Sequence, residues 1–226
     1  MAVSVLNAWT ANVDGVPNGV MTIGAGTGER LAILAYTAEY NEQLTEDFSI
    51  GGVAPTSEKL QFWENGASDQ HVYFWWWIES AITSFTDNDI DGSFGAQTPA
   101  KHNWSFAVYD GVDQTTPVTA AGATNTSTDS LDITTTSTSN DYDVVAVSRS
   151  SANRNLTSWG TLTEQWADAD DAYWTGLGHD VGGVTPITLT GDGTAADLTY
   201  AHLIINASGG GIIPQAMYHY RNHGKI

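Results

Sequence analysis

A chain of 226 residues with 26 Asp plus Glu against 7 Lys plus Arg carries a formal charge of −19, and it has no cysteine. This balance excludes a phosphate-neutralising nucleic-acid surface, and the missing thiols exclude disulfides and thiolate metal sites. No stretch approaches the ~20 apolar residues of a membrane span, so the expectation is a water-folded chain that buries about 70 to 75 per cent of its unfolded surface.

In chain order, the opening MAVSVLNAWTANVDG has neither a basic start nor a long apolar run, so no secretory signal is expected and synthesis in a reducing cytoplasm is. Strand-like runs then recur at residues 3–10, 19–23, 30–40, 46–50, 59–63, 70–79, 103–109, 130–136, 142–149, 184–190 and 198–206. Clusters of Gly, Asn, Asp, Ser and Thr separate them. No segment sustains a helical period; residues 162–172, short and acidic, read as a loop. Two long loops are expected, at 120–129 and at 150–180, and no internal repeat of fixed period is visible. The pattern predicts an all-β fold, a two-sheet antiparallel β-sandwich of jelly-roll kind with its sheets about 10 Å apart. Residues 1–207 form that sandwich, and 208–226 a Gly-rich junction followed by a basic tail.

The densest aromatic run is Phe74, Trp75, Trp76, Trp77, Ile78. On a strand Trp76 points opposite to Trp75 and Trp77, so one side fills the core and the other must meet a second layer. Trp159, Trp166 and Trp174, in the second long loop, are candidates for that layer and for partner contacts. Trp76 is the candidate glycan-facing ring, since an exposed aromatic face stacks on sugars. The tail QAMYHYRNHGKI carries His219, Arg221, His223 and Lys225 and no acid, so Tyr218, Tyr220 and Arg221 are candidate docking residues. Such a tail suits an acidic face of its own body, of a neighbouring copy or of a larger assembly.

Asp87, Asp89 and Asp91, followed by Gly92, spell D-x-D-x-D-G, the opening of a calcium loop. The twelfth position is Thr98, so the bidentate Glu of an EF-hand is missing; a structural calcium on a β-loop and a solvated acidic turn both remain open. Asp168, Asp170 and Asp171 form a second acidic cluster. His71, His102, His179 and His202 lie singly, without metal-site spacing, and the many carboxylates single out no catalytic pair. No catalytic residue and no cofactor is assigned.

Residues 107–118, AVYDGVDQTTPV, follow an alternating strand in which Trp104, Phe106 and Val108 share one face. Gly111 permits the turn, Asp113, Thr115 and Thr116 offer oxygens to its N–H groups, and Pro117 forces an extended restart. This string resembles the corner of β-sandwich domains found in structural and surface proteins of phages and marine microbes. There an Arg-Leu strand, a Gly-Gly turn and an aromatic strand precede the corner, matched here by residues 30–40, by Gly51 and Gly52, and by residues 71–78. The resemblance spans roughly residues 20 to 206 and implies architecture without catalytic residues. With the acidic body and basic tail, it implies a non-enzymatic virion protein. The expectation is a capsid decoration, or cement, protein of a tailed phage, or else a head-fibre or tail component, whose partner is the major capsid protein or another virion protein. The alternatives are a carbohydrate-binding or adhesin module for a surface glycan and, further off, a glycan-cleaving enzyme on the same architecture.

Overall fold

A computed structural model of the chain describes residues 1–10, 13–40, 44, 47–56, 60–63, 70–97, 99, 101–149, 156–169, 174–193 and 196–209. The first half contains β1 (Ser4–Asn7), β2 (Val13–Asp14), β3 (Asn18–Val20), β4 (Leu31–Glu39), β5 (Asp47–Ile50), β6 (Leu60–Trp63), β7 (Gln70–Ile78), the single-turn helix α1 (Glu79–Ile82), β8 (Asp89–Ser93) and β9 (Lys101–Asp110). The second contains β10 (Val118–Thr128), β11 (Ser130–Ile133), β12 (Tyr142–Arg149), β13 (Leu156–Ser158), β14 (Thr163–Ala169), β15 (Trp174–Val181), β16 (Ile187–Gly191) and β17 (Ala196–Ile205). The chain is all-β and antiparallel, a sandwich-like fold.

The strand order exposes a repeat that residue identities conceal. The large sheet of the first half runs β1-β9-β4-β7-β6 and that of the second β10-β17-β12-β15-β14; the small sheets run β3-β8-β5 and β11-β16-β13. Each strand of one half has a counterpart in the other at the same sheet position and in the same chain order. Among the described strands only β2, which extends the β9 edge, has none. Each half is thus a jelly-roll-like sandwich of one large and one small sheet. Main-chain bonds cross between the halves reciprocally. The Val3 N–H, just before β1, donates to Asn140 O, two residues before β12; the Val112 N–H, on the way to β10, donates to Glu29 O, two residues before β4.

Three apolar layers hold four sheets in a stack. Leu31, Ile33, Ala35, Val72, Phe74, Trp76, Ala107 and Tyr109 meet Val144, Ala146, Leu177, Ala201, Leu203 and Ile205 between the two large sheets. The other face of the first large sheet, with Leu34, Tyr36, Trp75, Trp77 and Phe106, packs on Phe48, Ile50 and Ile90 of its small sheet. Val145, Val147, Trp174 and Leu198 pack in the same way on Ile133, Ile187 and Leu189. A strand covered on both faces can be apolar at every position, which is why β4 reads LAILAYTA without alternation and is buried over those eight residues. The same double cover buries Trp75, Trp76 and Trp77 together.

Two expectations change. The sandwich has four sheets rather than two, because both faces of each large sheet are covered. The segments expected as loops carry strands: β10 occupies 118–128, β13 and β14 lie within 150–180, and so does all of β15 but its last residue. Strand β10 is held by its ladder to β17 and has no apolar alternation of its own to announce it. In β15 the pattern is broken by Gly176 and Gly178, whose lack of a Cβ is a packing requirement: a Cβ would sit 2.8 Å from the rings of Trp159 and Trp174 at the first and 2.7 Å from Trp159 at the second. The second to eighth residues of the expected acidic loop 162–172 form β14.

Candidate functional site

The 107–118 corner is the joint between the halves, and most of its polar atoms are engaged there. Strand β9 ends at Asp110, whose carboxylate accepts the Thr27 N–H at 3.0 Å and the Thr27 hydroxyl at 3.1 Å. Gly111 follows with φ +75°, and a Cβ there would lie 2.7 Å from Ala2 O, so both conformation and space call for glycine. Val112, fully buried, bridges to Ala207 just past β17. The Asp113 side chain accepts the Thr115 and Thr116 N–H groups at 2.7 and 3.1 Å, an Asx turn, and these bonds hold its carboxyl below the usual carboxylate range. The Asp113 N–H donates to Asn206 O, and the Asn206 N–H donates to Pro117 O.

Gln114 ties this turn to the first half. Its oxygen accepts the Glu79 N–H at 2.8 Å, and its amide donates to Arg30 O at 3.2 Å and Val112 O at 3.0 Å. Arg30 and Glu79 are themselves a forked ion pair: Nε to Oε2 at 2.8 Å and Nη2 to Oε1 at 2.5 Å, with Arg30 Nη1 donating to Gly24 O. Hydrogen bonding to Arg30 draws the Glu79 carboxyl below its ordinary value, against a smaller opposing effect of burial. The start of β4, the end of β7 and the corner, three segments that carry the sequence resemblance, therefore converge at one place. Gly51 and Gly52 form a separate turn after β5, both at positive φ.

The candidate binding aromatics lie inside the protein. Trp76, 8 % exposed, shares the layer between the large sheets with Trp166, so in the folded chain its ring is not an open sugar platform. Trp75 stacks on Tyr73 with ring centres 5.3 Å apart, and the Trp77 indole N–H donates to Val53 O at 2.9 Å. The second layer for this side of the Trp run is the β3-β8-β5 sheet rather than residues 150–180. Trp159 and Trp174 pack 6.0 Å apart in the core of the second half, and the Trp159 indole donates to Glu164 Oε2 at 2.6 Å. Tyr218, Tyr220 and Arg221 lie outside the described residues, as do Asp170 and Asp171.

In the D-x-D-x-D-G stretch, Asp87 accepts the Asp89 N–H at 3.0 Å and so caps the entry to β8. Asp89 and Asp91 are exposed on β8, alternating with buried Ile90. Gly92 lies in the strand under Phe48, whose ring would be 2.3 Å from a Cβ. Among the described residues no three His, Cys, Asp or Glu side chains are grouped to hold a metal ion.

Sequence reasoning missed the buried polar networks. His202 Nε2 meets Asp143 Oδ1 at 2.7 Å; the Thr135 hydroxyl donates to the same oxygen at 2.9 Å and the Ser137 hydroxyl to Oδ2 at 2.6 Å. At the layer between the halves, the Trp9 indole donates to the Tyr109 hydroxyl at 2.9 Å, which leaves that hydroxyl free to donate to His179 Nδ1 at 2.7 Å. Burial lowers the His179 pKa from its ordinary value and pushes the Tyr109 pKa well up, so both side chains stay neutral. No spacing rule links residues so far apart in sequence. A cleft of ≈ 290 Å³ opens among Asn7, Thr10, Met21, Thr22, Trp104 and Phe106.

No protein-family model, no curated protein and no solved structure matches this chain.

Proposed function

We propose that this chain is a non-enzymatic virion structural protein, a decoration protein that binds the capsid shell of a tailed phage and stabilises it. The observation that carries the reading is the corner at 107–118: the string that resembles virion β-sandwich domains is also the segment on which both sandwiches of this chain are joined. A double sandwich closed by such a joint suits a part whose task is to hold its shape on a surface. The mechanism is binding alone. A protein that binds the assembled shell and not its dissociated subunits shifts the equilibrium toward the shell by RT ln(1 + [L]/Kd). The acidic body of a chain that carries −19 overall favours a basic patch on the major capsid protein or another virion protein, and the basic tail offers the opposite sign to an acidic one.

The test is co-sedimentation of the purified chain with capsid shells, together with the melting temperature of the shells. Binding that raises shell stability supports the reading. Failure to co-sediment, with micromolar binding to a polysaccharide instead, overturns it in favour of a carbohydrate-binding module.

A further inference from the structure

We infer that β10 is a self-association edge, along which a second copy of this chain pairs antiparallel, β10 to β10, to join two five-stranded sheets into one of ten. Among the described residues β10 ends its sheet and pairs with β17 alone. Its ladder is regular from Val118 through Asn125, so it presents a long straight edge of main-chain donors and acceptors on its other side. Thr119, Ala120 and Ala121 are all exposed, so side chains on both faces of the strand are open to solvent there.

The first half supplies an internal comparison. The position equivalent to β10 is filled by β1, four residues long with a register break between Val5 and Asn7, and further along β9 by the two-residue β2. A broken, short edge is a common protection against strand addition; β10 has its own register break, between Asn125 and Thr128, but offers a regular ladder from Val118 to Asn125 before it.

Charge selects the occupant. Two copies at −19 each repel one another, so pairing needs an edge that brings no further carboxylates together. Strand β10 reads VTAAGATNTST, with no charged residue and no proline. The far edge of the same sheet, β14, carries Glu164 and Asp168, and β6 is flanked in sequence by Lys59 and Glu64. A two-fold pairing places each β10 residue opposite one of the same strand, and small uncharged side chains meet there without a clash of size or sign.

Sedimentation velocity on the full chain, up to about 100 μM, tests this by mass. The expected result is a species of twice the chain mass. Ala121→Lys, at an exposed position, sets a charge and its symmetry mate on the edge and is expected to give monomer with unchanged circular dichroism and melting temperature. Val184→Lys, at an exposed apolar residue away from β10, is expected to remain dimeric. Because the chain has no cysteine, a spin label on Ala121→Cys is unique, and labels on paired strands lie closer than about 40 Å. A wild-type chain that stays monomeric, a dimer that survives Ala121→Lys, or a dimer without that dipolar coupling overturns the inference.

Discussion

The side-chain oxygen of Gln114 accepts the main-chain N–H of Glu79 at 2.8 Å, and this single bond fastens the connector between the halves to the end of the Trp-bearing strand β7. The same side chain reaches Arg30 O and Val112 O, so one glutamine closes three main-chain valences at the joint.

Replacing Gln114 with Ala therefore removes three hydrogen bonds and leaves the part-buried Glu79 N–H without its partner. The expected cost is about 1–3 kcal/mol, set by the unpaired donor more than by the bonds lost. Urea unfolding checks it through a lower midpoint at unchanged slope. Gln114→Glu, which keeps the Oε1 acceptor and loses the amide donors, is expected to fall between the two.

The Arg30–Glu79 pair gives a pH signature. Glu79 has a folded pKa below its ordinary 4.5, so the unfolded chain takes up its proton first as the solution acidifies. The pair's contribution is complete above that ordinary value and is lost as pH falls through the folded one. Glu79→Gln is expected to cost about 1–2 kcal/mol at neutral pH, given a partly shielded forked geometry. The gap between wild type and variant then narrows below pH 4.5, as melting temperatures measured against pH will record.

His179 titrates on the other side. Burial holds its folded pKa below the ordinary 6.5, with Asp180 pulling the opposite way, and Tyr142 and Tyr109 lie against the ring. A base with a depressed pKa is protonated first in the unfolded chain, so stability is full above 6.5 and declines as pH drops below it. Protonation also ends the acceptance of the Tyr109 hydroxyl by Nδ1. His179→Gln is expected to flatten the pH dependence of the melting temperature just below 6.5; an unchanged slope rejects this role.

The all-β class was legible because strand signals and turn residues alternate along the chain, and the corner was legible because Gly111, Asp113 and Pro117 each have a local reason to be there. The four-sheet stack was not. Leu31 through Ala38 give no alternation, and a strand with both faces buried looks the same in sequence whatever lies on either side. Strand β10 escaped notice because Thr, Ala and Asn carry no apolar period; its ladder to β17 is a tertiary fact. The partners of the Trp residues were equally hidden, since Trp166 meets the Trp76 layer across the two halves while Trp159 and Trp174 stay within one.

Gly176 and Gly178 look like flexibility in sequence and act as sockets in the fold. Gly176→Ala presses a methyl into two indole rings, and Gly178→Ala presses one into Trp159 and the Leu162 side chain. Backbone entropy favours each alanine by a few tenths of a kcal/mol, but overpacking costs about 1–3 kcal/mol and decides the sign. Thermal unfolding should show both variants destabilised. Trp159→Phe in the Gly178→Ala background is expected to recover part of the loss, because the smaller ring withdraws from the added methyl.

The shared layer between the large sheets makes the two halves one cooperative unit. Phe74 and Leu203 lie in the same cluster although they belong to different halves, and separating the halves would expose the apolar faces of both large sheets to water. At roughly 25 cal/mol per Å² of apolar surface, that exposure opposes any state in which one sandwich unfolds without the other. Equilibrium unfolding is therefore expected to proceed in one transition, with tryptophan fluorescence and far-UV circular dichroism coincident. Phe74→Ala and Leu203→Ala should each lower that single midpoint, by about 3–5 and 2–5 kcal/mol respectively, without splitting it. Two separated transitions, one sensitive to Phe74→Ala and the other to Leu203→Ala, would mean that the joint at the corner links two independent sandwiches and that the layer between them adds little.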